Sequence, residues 1–102
     1  MIAWFRRWMG WEEVDALAMA LTEIFSRHIA VGQVKKSAVV EKAFLLVLAQ
    51  AKGEKRKRGW RGNKAARLAN TFGWQLISLG YPKEFSLALA KKLAVHLAQK
   101  KQ

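Results

Sequence analysis

Cysteine is absent from this chain of 102 residues, which excludes disulfides and thiolate-held metals and suits a reducing compartment. Proline occurs once, at Pro82, so little interrupts helix formation. Acidic residues are scarce, with seven Asp and Glu against nineteen Lys and Arg, for a formal net charge of +12. Only two histidines are present, His28 and His96. Seven scattered acids and two histidines beside apolar stripes offer no positioned acid–base pair for hydrolysis. Phosphate-binding glycine loops, metal-ligand spacings and nucleophile elbows are also missing. The expectation is a protein that is not an enzyme, with no cofactor and no metal site.

Long apolar runs are lacking too. The longest, AFLLVLA at 43–49, falls far short of the roughly 18 to 20 residues needed to span a bilayer. Arg6 and Arg7 interrupt the apolar start where a secretory signal would place its apolar core. A soluble, cytoplasmic chain is expected. Its hydrophobic fraction of 52% is above the disordered range, and its length suits one domain, 1–102, with one modest core.

The positive charge is unevenly placed. Residues 1–50 hold six Lys and Arg and five acids, whereas residues 51–102 hold thirteen and two. The densest stretch is KGEKRKRGWRGNKAAR at 52–67, where eight of sixteen side chains are basic and one is acidic. A half this lopsided attracts polyanions: nucleic acid, an anionic membrane or an acidic protein.

Ala, Leu, Lys and Gln dominate the rest, and all are good helix formers. Residues 1–10 form a short amphipathic helix candidate. Residues 12–29 predict a stronger one, with Val14, Leu17, Ala18, Leu21, Ile24 and Phe25 in stripe and Glu12, Glu13 and Asp15 in the first turn, where the helix dipole favours anions. Residues 30–36 read as a connection. A helix from Ser37 to about Ala51 follows, with Leu45 and Leu46 widening its apolar stripe as if other helices nearly encircled it. Residues 52–62 read as a basic linker. Asn63 is a candidate N-cap for a helix to Leu79, with Gly80 just beyond its end. Pro82 then opens a last helix carrying Phe85, Leu89, Leu93 and Leu97. The fold class expected is all-α, a compact bundle of four main helices with a short N-terminal amphipathic helix.

The chemistry concentrates around 55–75. Lys55, Arg56, Lys57, Arg58, Arg61, Lys64 and Arg67 are candidates for phosphate contacts. Trp60 lies among them and has two destinations, the core or the face of a base. On the wheel of the helix from Lys64, the arc of Ala65, Leu68, Ala69, Phe72, Leu76 and Leu79 faces the core. Opposite lie Lys64, Arg67, Asn70, Thr71, Trp74, Gln75 and Ser78. Trp74 is therefore expected at the surface among side chains able to read base edges.

Residues 68–80, LANTFGWQLISLG, resemble the centre of a helix-turn-helix, with Gly73 at the turn. Gly80 and Pro82 fall inside the would-be recognition helix, so no base-reading roles are carried over. The function expected is a small accessory factor or regulator that binds DNA or RNA through the Lys/Arg run, Trp60 and Trp74. Two other partners fit the composition. An anionic membrane surface would meet the aromatics of MIAWFRRWMGW as an interfacial anchor, and an acidic protein would dock on Trp74.

Overall fold

The computed structural model describes residues 11–35, 37–60 and 62–98. Four helices account for most of them: α1 (Trp11–His28), α2 (Ser37–Arg58), α3 (Gly62–Ser78) and α4 (Lys83–Ala98). They form the all-α bundle expected from the periodicity. The helix expected over 1–10 lies outside the described residues.

The stripes read from the sequence form the core. Val14, Leu17, Ala18, Leu21 and Phe25 of α1 meet Ala65, Leu68, Ala69, Phe72 and Leu76 of α3 and Leu89, Leu93 and Leu97 of α4. Phe25 sits in an aromatic cluster, with ring centroids 6.2 Å from Phe72, 5.7 Å from Tyr81 and 6.1 Å from Phe85. The connection after α1 contains one 3-10 turn, Val31–Gln33, in which the Gln33 side chain accepts a hydrogen bond from the Ala30 amide at 3.0 Å.

Four expectations are corrected. The basic run is not a linker from residue 52, because α2 continues through it to Arg58. Lys, Arg, Glu and Ala are good helix formers, Glu54 and Arg58 pair across one turn, and cations at a helix C-terminus complement the dipole. Leu45 and Leu46 are not encircled; they remain 52% and 43% exposed. Leu79 leaves the core arc because α3 stops at Ser78, one residue before it. Asn63 is not the N-cap, because α3 begins at Gly62, one residue before it; and, as the expected single helix requires, Gly73 lies inside an unbroken α3. It is buried there by close approach to α4, and a Cβ built on it would come within 2.7 Å of Ala90 Cβ.

Each helix packs against two neighbours. α3 lies against α4 and α1, and α2 lies against α1 and, less extensively, α4. The pairs α2–α3 and α1–α4 therefore stand across the diagonals. Asp15 meets Arg67 and Thr22 meets Gln75, so α1 and α3 run in the same direction. Glu41 meets Lys92 and Phe44 meets His96, so α2 and α4 also run alike. The direction alternates along the chain, and the step from α2 to α3 crosses the end of the bundle diagonally.

Two helices stop by the same local device. After α2, Gly59 adopts φ +67°, its amide bonds the Arg56 carbonyl at 3.3 Å, and the Trp60 amide bonds the Lys55 carbonyl at 3.1 Å. After α3, Gly80 adopts φ +108°, its amide bonds Ile77 at 3.0 Å, and the Tyr81 amide bonds Leu76 at 3.1 Å. Both are Schellman motifs, in which a left-handed glycine lets the chain satisfy the last helical carbonyls. In both, the next residue is an aromatic that turns into the core.

Candidate nucleic-acid interface

The diagonal step places the C-terminus of α2 and the N-termini of α1 and α3 at one end of the bundle. Basic side chains from α2 and α3 therefore meet acidic ones from α1. Arg58 forms ion pairs with Glu54 at 2.7 Å and Glu13 at 3.4 Å, and its guanidinium lies 5.4 Å from the centre of the Trp60 ring. The hydrogen bond from Arg58 holds the Glu54 carboxyl below its ordinary value. Arg67 donates two bonds to Asp15, each 3.3 Å, and covers the Trp11 ring at 4.7 Å. These contacts tie α1 to α2 and α3, so Arg58 and Arg67 are joined to the scaffold rather than held out to a ligand.

Trp60 is only 6% exposed. Of its two destinations the core is the one it takes, which corrects the expectation that it stacks on a base. It closes the core at the basic end of the bundle. Beside it, Arg58, Gly59, Trp60, Asn63 and Lys64 line an open cavity of about 270 Å³.

The remaining candidates fall into two groups. Lys55, half-buried, and Arg56 and Lys57, both exposed, occupy the last turn of α2, and among the described residues no ion pair engages them. Along α3, Asn70 is exposed and Trp74 is 50% exposed, as the wheel required. Thr71 is half-buried, and Gln75 is half-buried with its amide oxygen 3.0 Å from the Thr22 hydroxyl. Lys64, half-buried, lines the cavity with Arg58 and Asn63; Arg61 lies outside the described residues. The structure thus separates a cationic turn at the bundle end from an exposed indole on its flank. From Asn63 to Trp74 is eleven residues of helix, about 16 Å at 1.5 Å per residue.

Sequence reasoning missed the acids. Glu13 does load the first turn of α1, with Asp15 just beyond it, but the two also reach across to Arg58 and Arg67. The four-residue spacing of Glu54 and Arg58 is a legible signal that this stretch is helical; the cross-helix pairs had no counterpart in the sequence. Among the described residues, no cluster of three or more His, Asp or Glu is placed to hold a metal ion, and no helix is long and apolar enough to cross a membrane.

No family model, no curated protein and no solved structure matches the chain.

Proposed function

We propose that this protein binds nucleic acid without catalysing a reaction on it, using the last turn of α2 as its phosphate-binding element. The observation that carries the reading is the contrast within a single turn: Arg58 is consumed by Glu54 and Glu13, while Lys55, Arg56 and Lys57 are left to an external anion. Lys52, exposed one turn earlier, extends the same cationic surface. Trp74, flanked by Asn70, supplies a flat apolar surface on which a base can stack.

Three or four phosphates engaged by this turn give log K against log salt a slope of roughly −2 to −4, at about 0.7 to 0.9 per phosphate. Changing Lys55, Arg56 and Lys57 to Gln should flatten that slope by about 2 to 3 and leave the fold intact. Arg58 should be left alone in this test, because its loss would also release Glu13 and Glu54. Trp74→Ala should cost under about 1 kcal/mol of stability but about 1 to 3 kcal/mol of binding if a base stacks on the indole. Salt-independent binding that survives the triple substitution would overturn the reading.

A further inference from the structure

The outward side of α2 does not look like the solvent face of an ordinary bundle helix. Leu45 and Leu46 are exposed, and Val39, seven residues before Leu46 and so on the same line of the helix, is exposed as well. Ala38, Lys42 and Ala49, also exposed, fill the arc between the two leucines. The strip continues onto α4. The pairs Glu41–Lys92 and Phe44–His96 set residues 92–96 beside 41–44, and Val95 in that stretch of α4 is exposed.

The charge around this strip has one sign. Together α2 and α4 carry nine Lys and Arg against three Glu. Glu41 is neutralised by Lys92 at 2.8 Å and Glu54 by Arg58 at 2.7 Å. Glu84 sits in the first turn of α4, eleven residues from Val95.

We propose that this face docks on an anionic lipid surface, its Leu and Val side chains entering the headgroup boundary while Lys42 and its neighbours meet lipid phosphates. Aliphatic side chains bounded by lysine are what an interfacial helix presents to such a surface, and lysine stems can lie along the apolar layer with their ammonium groups outward. Charge complementarity selects this occupant over a second copy, since a two-fold contact here would oppose Lys42 to Lys42 between chains of net charge +12. A protein partner is disfavoured by composition, because Val, Leu, Ala and Lys are not the side chains that dominate protein hot spots, and Trp, Tyr and Arg are absent from the strip. Nucleic acid matches it poorly, because stacking on bases uses aromatic or guanidinium planes, which the strip lacks. The strip runs into the cationic turn at its C-terminal end, where Lys52 lies seven residues beyond Leu45, but its apolar part does not depend on the nucleic-acid reading.

The test uses the full chain with phosphatidylcholine vesicles, with and without phosphatidylserine. Partition should require phosphatidylserine, and Leu45→Gln/Leu46→Gln should weaken it by about tenfold or more while oligonucleotide binding keeps its salt slope. Because the chain has no cysteine, Leu46→Cys carries a single polarity-sensitive dye, which should leave water only when anionic vesicles are added. This second measurement decides the matter even if the double variant folds poorly. Equal partition onto neutral vesicles, full partition by a folded double variant, or a dye that stays in water with anionic vesicles would each overturn the proposal. So would a dye already dry in the free chain, since a second copy or another part of the chain would then cover the face.

Discussion

The two ends of the bundle are closed by the same sequence device with opposite surroundings. At one end Gly80 ends α3 and Tyr81 turns inward, stacks near Phe85 with centroids 6.1 Å apart, and donates its hydroxyl proton to the Ile29 carbonyl. At the other, Gly59 ends α2 and Trp60 turns inward beneath the guanidinium of Arg58. Tyr81 joins two helices that are neighbours, whereas Trp60 spans the step between two that are not. The lesson is that a left-handed glycine followed by an aromatic is a complete instruction, a stop and an anchor together, and that it works inside a run of charge as well as inside an apolar segment.

The largest test of this parallel is Trp60→Ala. If Trp60 closes the core as Tyr81 does, the substitution costs about 3 to 5 kcal/mol, seen as a large fall in the denaturant midpoint. A cost under about 1 kcal/mol, the range of surface positions, would break the comparison and return Trp60 to the candidate binding surface.

Tyr81→Phe should have an intermediate effect. It leaves the Ile29 carbonyl without its partner inside the protein, at a cost of about 1 to 3 kcal/mol. Burial raises the phenol's ionisation above its ordinary value near pH 10. The native chain should therefore keep this contribution below about pH 10 and lose it as pH rises through the folded-state value, because only the unfolded phenol ionises readily. Stability measured against pH should fall less steeply on the alkaline side in Tyr81→Phe. Equal alkaline slopes in the two proteins would show that the phenol is solvated.

The smallest effect, and the one that sharpens the comparison most, is the pair Gly59→Ala and Gly80→Ala. A Cβ meets no atom within 4 Å at Gly59 and only Val31 Cγ2, at 3.8 Å, at Gly80. Crowding is therefore not the issue, and each cost should be the left-handed backbone penalty alone, about 1 to 2 kcal/mol. Similar values from thermal or denaturant unfolding would establish that the two stops are energetically alike. A near-zero cost at Gly59 would mean that α2 is held by its charge pattern rather than by its cap.

This pair also shows what could be read before the structure. Gly80 was legible as a helix end because an apolar-periodic segment precedes it and Pro82 follows. Gly59 was not, because Lys55, Arg56, Lys57 and Arg58 leave no periodicity to follow, and dense charge looks like a solvated loop. The apolar stripes of α1, α3 and α4 were legible because one buried face imposes a 3.6-residue repeat on each. Leu79 was misplaced by extending the wheel one residue beyond the last helical one. Leu45 and Leu46 were misplaced because an apolar run says how much of a helix avoids polar residues, not what covers it. In the candidate site, the exposure of Trp74 was legible from its polar flanks. The loss of Arg58 and Arg67 to acids of α1 was not, because it depends on which helices are neighbours, and periodicity fixes faces without fixing neighbours.

The diagonal step has a consequence for how copies of this chain can meet. It divides the molecule into two antiparallel hairpins, α1–α2 and α3–α4, whose only covalent join is the short stretch between Arg58 and Gly62. Were that stretch to straighten and α2 to continue into α3, the second hairpin of one chain could occupy its place on another with the contacts between helices preserved and those of Trp60 given up. Exchange of this kind needs only a hinge that opens. Gly59 in its left-handed turn and Trp60 buried in the core oppose that straightening, so the same two residues that end a helix also stand against such an exchange.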